Sequence, residues 1–226
     1  ITPNSFDYKI RCDTFESLKS IIENKWKEFN IEFYGSTKMG LYLKDSDINV
    51  NLSIPKYYIE EEYSNENNLF NSICHQLINS NFCDSKEINI IESEIPFIHC
   101  VSLARKINVL IHINSKNIKS NENMVNILKK CPFVKDANLI MKFILRNPGF
   151  NNPYNGGLSS YSLFYLIYAF VSLQIKRQNL PNKNKQKLQF KKTNMGEFIK
   201  KFLCFITNNN KESFNKDEEF ESKLFM

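Results

Sequence analysis

The sequence predicts an α/β (α+β) protein, with a small mixed sheet and flanking helices in its front half and an all-helical rear half. Three observations carry that expectation. Asp47 to Ile54 reads Asp-Ile-Asn-Val-Asn-Leu-Ser-Ile, a strict alternation of polar and apolar residues that matches the period of a half-buried strand. Ile107 to Ile113 alternates in the same way, with Ile107, Val109, Ile111 and Ile113 on one face and Asn108, Leu110, His112 and Asn114 on the other. After Asn117 the apolar residues recur at helical spacing instead. The chain of 226 residues is long enough for one or two domains with a buried core.

Taken in order, Phe15 to Phe29 reads as a helix, with Leu18, Ile21, Ile22 and Trp26 on one side. Ile31 to Tyr34 is a short strand that runs into Gly35-Ser36. Asp47 to Ile54 is the second strand, stopped by Pro55. Leu69 to Leu77 is a helix, and Ile88 to Ile91, Ile95 to Val101 and Ile107 to Ile113 are strands. The rear half holds helices over Asn121 to Lys130, Val134 to Arg146, Ser160 to Gln174 and Gly196 to Thr207, with Ser159 or Ser160 as N-cap of the third. Tyr57 to Asn68 is acidic and reads as an exposed loop or helix edge, and the polar tail from Asn208 as poorly packed until Phe220, Leu224 and Phe225. The expected division is an N-terminal helix over residues 1–29 packing on the helical part, a sheet domain over 30–118 and a helical domain over 119–226.

Composition excludes several classes. Hydrophobic residues at 42% and charged residues at 24% are those of a globular chain, not a disordered one. No apolar run approaches the roughly 20 residues that span a bilayer, so no membrane partner is expected. The net charge of +6 mildly favours an acidic partner such as RNA or a nucleotide. Cys12, Cys74, Cys83, Cys100, Cys131 and Cys204 include no CxxC pair and make neither a zinc nor a disulfide framework by spacing. That points to a reducing intracellular compartment, with mitochondrion and cytoplasm both open. A start at Ile1 and not Met is expected of a processed or trimmed chain.

The most informative stretch is Phe33-Tyr34-Gly35-Ser36-Thr37-Lys38-Met39-Gly40-Leu41, followed by Ser46-Asp47-Ile48-Asn49-Val50. A strand enters Gly-Ser, a short helix-like link follows, and an Asp then heads a strand whose i+2 residue shares its face. Gly-Ser, Gly-Leu and Ser-Asp-Ile in this order resemble the signature of the polymerase-β-type nucleotidyltransferases, specifically the non-canonical poly(A) polymerases and terminal uridylyltransferases. The resemblance continues over about residues 15–207, through Ile95-Pro96-Phe97-Ile98, Lys142 with Arg146, Gly157-Leu158-Ser159-Ser160-Tyr161, Leu173-Gln174, Leu180-Pro181 and Gly196-Glu197-Phe198. It implies a nucleotidyltransferase sheet domain followed by a helical poly(A)-polymerase-associated domain, with the nucleotide site in the cleft between them. It also implies that Gly35 and Ser36 lie against a triphosphate, that Lys142 and Arg146 meet its phosphates, that Ser160 approaches them and that Tyr161 stacks on the base.

The family uses three carboxylates, and here the set is broken. Asp47 is in place, the second position is Asn49, and the strand alternation puts Leu110 at the third; a slip of two residues would put His112 there instead. Two Mg²⁺ ions need anionic oxygens close together, which an amide and an alkyl side chain do not supply. No intact catalytic set and no metal site are therefore expected, with Asp47 the one retained ligand position. Asp45 reads as a turn residue. His112 reads as hydrogen-bonded, and His75 with Cys74 and Cys83 lacks zinc spacing.

Two readings stay open for the remaining residues. Lys142 and Arg146 are either phosphate or RNA contacts or a solvated helix face, and Tyr161 either stacks on a base or packs with Tyr165 and Tyr168. Lys176, Arg177, Lys183, Lys185, Lys187, Lys191 and Lys192 form a basic run without an acidic residue, which is either an RNA-backbone contact or a solvated loop. The leading expectation is a catalytically silent relative acting as an RNA-associated scaffold or subunit of a ribonucleoprotein complex, a mitochondrial one included, and needing no cofactor. The alternatives are an active RNA 3′-terminal nucleotidyltransferase with a rearranged metal site, which would take Mg²⁺ and a nucleoside triphosphate, and a nucleotide-binding regulatory subunit.

Overall fold

The structure is a computed structural model that describes residues 3–58, 66–93, 95–115, 118–146, 149–150, 156–179 and 194–207. Helix α1 spans Ser5–Lys25, starting ten residues before the expected Phe15. The reason is a capping box: Asn4 Oδ1 accepts from the Asp7 amide at 2.7 Å, and the Asp7 carboxylate accepts from the Asn4 amide at 3.3 Å. Strand β1 is Asn30–Phe33, helix α2 Gly35–Met39 and strand β2 Ile48–Ser53. Helix α3 spans Glu66–Asn79, and strands β3, β4 and β5 span Ile88–Ile91, Phe97–Val101 and Asn108–Ile113.

The five strands form one mixed sheet in the order β1-β2-β5-β4-β3. The β2–β5 pair is parallel, and every other pairing is antiparallel. Alternation decides which face is dry. Ile48, Val50, Leu52, Val109 and Ile111 are buried together with Ile98 and Cys100, and α3 covers them through Leu69, Phe70, Ile73 and Leu77. Helix α1 adds Phe15, Leu18 and Ile22 to this same core, and Trp26 and Phe29 follow. The apolar stripe of α1 continues the sheet core, and Phe15 stacks on Phe33 with ring centroids 4.0 Å apart.

Helices α4 (Ile118–Lys130) and α5 (Phe133–Arg146) follow, and α4 lies against α2. Residues 1–143 form one compact unit and 144–226 a second. The break falls inside α5, beyond the 118/119 boundary at which the residue pattern changes. In the second unit, α6 (Ser160–Asn179) is capped by Ser159, whose hydroxyl accepts from the Ser162 amide at 3.0 Å. Helix α7 (Met195–Ile206) packs Phe198, Phe202 and Phe205 around Phe170, with ring centroids 5.1–5.5 Å away.

One buried cation ties α1 to the approach to β2. Arg11, 1% exposed, donates to the carbonyls of Leu43, Lys44 and Ser46 at 3.2, 3.2 and 2.6 Å, and to that of Asp47 at 3.5 Å. Its guanidinium also sits 4.3 Å from the centre of the Tyr42 ring. Burial pulls the Arg11 pKa below its ordinary value, offset by Tyr42 and the nearby Asp47. Without it the 43–47 carbonyls lose their common donor. Arg11→Ala is expected to cost about 2–4 kcal/mol, and Arg11→Lys to recover less than half, because an ammonium cannot fork over several carbonyls. Urea unfolding followed through the single tryptophan, Trp26, which sits in this core, measures both.

Candidate functional site

The site is built where β1 hands over to α2. The Tyr34 amide donates to the Asn49 carbonyl at 3.1 Å, closing the β1–β2 ladder. The chain then turns at Gly35, whose φ of +67° lies in the left-handed region open to glycine. A Cβ there would meet Asn49 Nδ2 at 3.4 Å, so the absence of a side chain also makes room for the Asn49 amide. Ser36 and Thr37 are buried on α2, and the Ser36 carbonyl accepts from the Leu41 amide at 2.9 Å. Gly40, with φ of +66°, ends the helix.

The floor beside this turn comes from β2 and β5. Their parallel register pairs Asn49 with Leu110 and Asn51 with His112. Leu110 therefore stands next to the second ligand position of the family pattern, and His112 lies one pleat further along. Asp47 immediately precedes β2, and its Oδ1 accepts from Asn108 Nδ2 at 3.0 Å. Asn51 is fully buried and locked: its Oδ1 accepts from the Ser115 amide at 2.8 Å and its Nδ2 donates to Ser53 Oγ at 3.0 Å. Asp45 lies in the turn before β2, off the strand face. One carboxylate, one amide and one alkyl group do not fit a pair of Mg²⁺ ions. Among the described residues no group of three or more His, Cys, Asp or Glu side chains is placed to hold a metal ion.

His112 is packed between rings. Phe97 stacks on it with centroids 4.9 Å apart, and Tyr34 meets it edge-on at 5.4 Å. Burial among them pushes its pKa down to about 4, so the imidazole is neutral at physiological pH.

Lys142, on α5, is buried and donates to the Leu41 carbonyl at 2.6 Å. Burial brings its pKa down to about 8. Arg146 is the last residue of α5. In the second unit the Leu158 amide donates to the Phe150 carbonyl at 2.7 Å, and Ser160 is the first residue of α6. Tyr161 is 48% exposed, and its ring lies 4.7 Å from that of Tyr165. Burial and a hydrogen bond with Tyr161 push the Tyr165 hydroxyl up to about 12. Of the basic run, Lys176 and Arg177 fall in the last turns of α6, while Lys183, Lys185, Lys187, Lys191 and Lys192 lie outside the described residues.

The structure thus brings Gly35, Ser36, Asp47, Asn49, Leu110 and Lys142 into one unit. It adds two residues to which the sequence reading assigned no part. Asn108 had one signal, its place on the polar face of β5; Arg11 had another, its helical spacing from Phe15 and Leu18.

A family model described as "Poly(A) RNA polymerase, mitochondrial-like, central palm domain" matches residues 1–135. The poly(A) RNA polymerase CID14 of Cryptococcus neoformans is 28% identical over 177 residues, which are 78% of this chain and 23% of that one. A Drosophila melanogaster protein named inactive non-canonical poly(A) RNA polymerase protein Trf4-2 is 24% identical over 174 residues, 75% of this chain and 40% of that one. The chain therefore spans less than half the length of these relatives. Among solved structures, the polymerase core of TRAMP, an RNA surveillance complex, superposes with a TM-score of 0.74 at 22% identity, over 92% of this chain and 61% of that one. The RNA terminal uridylyl transferase Cid1 gives 0.70 at 18% identity, over 89% and 65%. At these identities the likeness is one of fold.

The His112 environment has a measurable consequence. The folded pKa near 4 lies below the unfolded value near 6.5, so the unfolded chain binds the extra proton between these two. Stability from this group is whole above about pH 6.5 and is lost as pH falls towards 4, by up to about 3 kcal/mol. His112→Phe is expected to remove that part of the acid loss. Urea midpoints of both proteins at pH 7 and near pH 4.5 measure the difference.

Proposed function

The chain belongs to the mitochondrial-like poly(A) RNA polymerase family, and on that premise we propose that it is a catalytically silent member, working as an RNA-associated scaffold or subunit of a ribonucleoprotein complex. The observation that carries the reading is the β2–β5 register, which sets Leu110 beside Asn49 and leaves Asp47 as the lone carboxylate of the pattern. Nucleotidyl transfer of this kind needs a clamp on the attacking and leaving oxygens and a base for the incoming hydroxyl. Asn49 offers one neutral oxygen for the clamp, and Leu110 offers neither ligand nor base. The relative named inactive in Drosophila melanogaster gives precedent for a silent branch.

RNA association draws support from the net charge of +6, from relatives named as RNA polymerases and from fold neighbours described as parts of an RNA surveillance complex and of a GLD-2/RNP-8 complex. The nucleotide-binding reading draws less. Lys142, one of the residues that would meet the phosphates, is buried and already bonded to the Leu41 carbonyl.

An RNA-extension assay tests the reading, with Mg²⁺ or Mn²⁺, each of the four nucleoside triphosphates and Asp47→Ala as control. The expected outcome is no extension above the control. Extension that disappears with Asp47→Ala would overturn the silent reading. For the RNA-associated part, fluorescence anisotropy with a single-stranded oligoribonucleotide should show binding that weakens steeply with salt; no binding at low salt would remove RNA from the proposal.

A further inference from the structure

Asp47 is the family carboxylate that remains, and its surroundings say what holds it. It stands one residue before β2, and Asn108 opens β5. The parallel register that pairs Ile48 with Val109 brings Asp47 and Asn108 to the same level of the sheet. There the Asn108 amide donates to Asp47 Oδ1 at 3.0 Å in a part-buried setting. On the main-chain side Arg11 holds the Ser46 carbonyl at 2.6 Å and the Asp47 carbonyl at 3.5 Å. The next two residues on this face, Asn49 and Leu110, are respectively turned over Gly35 and apolar.

We propose that Asn108 takes the place of a cation at Asp47: its amide N–H is the positive partner of Oδ1, and Asp47 serves as a strut between β2 and β5, not as a metal ligand. The inference rests on the silent reading of the site and deepens it. The donor is a neutral amide and the bond has ordinary N–H···O length, 3.0 Å. It takes one lone pair of Oδ1, so a cation at that oxygen would share it with the amide donor. It also fixes the carboxylate's plane through a neighbour that a shared strand level supplies. The site is then unsuited to a divalent cation twice over, through the lost ligands at Asn49 and Leu110 and through the internal partner of the one that is left.

Mn²⁺ alone is the probe, titrated into the full chain and followed by the electron paramagnetic resonance of free Mn²⁺. Two variants rebuild the acidic set, one carrying Asn49→Asp and Leu110→Asp, the other carrying these with Asn108→Ala. The variant without Asn108 is expected to bind Mn²⁺ at least about tenfold more tightly, the reverse of the loss that follows when a supporting partner of a metal ligand is removed. Equal or weaker binding without Asn108 would overturn the proposal.

Thermal melting supplies a second arm that does not depend on the rebuilt set folding. Asp47→Asn keeps a carbonyl acceptor and is expected to melt close to the unsubstituted chain, whereas Asn108→Ala melts lower, and Mn²⁺ shifts neither them nor the unsubstituted chain. A Mn²⁺-dependent rise in the unsubstituted chain that vanishes with Asp47→Asn, or an unchanged melting point for Asn108→Ala, would sink the idea. RNA extension by the unsubstituted chain would instead remove the silent reading beneath it, so the two failures are told apart.

Discussion

The parallel pairing of β2 with β5 is the constraint on which the rest of the first unit depends. Ile48, Val50 and Leu52 meet Val109, Ile111 and their neighbours on the dry face, all of them buried. A slip of one residue would turn Asn49, Asn51 and Leu110 into that core and expose the isoleucines and valines. The cost of moving several such side chains, at about 1.5–3 kcal/mol each, forbids it. Because the dry face permits one register, the wet face inherits one too, and Asp47, Asn49, Asn108, Leu110 and His112 have no freedom in which neighbour they receive.

That inheritance explains how the residues at the ligand positions can change while the shape of the site is kept. The sheet is held from its apolar side and from α1 and α3, none of which uses the metal-ligand positions. The Gly35 turn is held by backbone conformation and by the Tyr34–Asn49 ladder bond. The approach to β2 is held by Arg11, which satisfies several carbonyls from beneath. Replacing carboxylates by an amide and a leucine therefore removes repulsion between like charges and disturbs none of these supports. Phe97, His112 and Tyr34 pack a further part of the same face with rings.

Lys142 and Tyr161 sit in contrasting surroundings. Lys142 is drawn inward, and its ammonium is bonded to the Leu41 carbonyl that follows the Gly40 turn. Tyr161 stays half exposed at the start of α6, leaning on Tyr165. Burial shifts the lysine because an ammonium loses hydration there.

Much of this was legible in the residues alone. The alternation in 47–54 and 107–113, the helical spacing after 117 and the ordered Gly-Ser, Gly-Leu and Ser-Asp-Ile pattern determine the fold class and the family resemblance, because local period and residue type need no knowledge of distant partners. Tertiary structure alone decided the partners. Helix α1 could be placed on the sheet core only once Phe15 was seen against Phe33. Arg11 could be read as a clamp only beside carbonyls more than thirty residues away. Asn108 could be tied to Asp47 only through a parallel pairing between residues 61 positions apart in the chain, since a hydrogen bond depends on distance in space, and one sequence carries no record of which far residues meet.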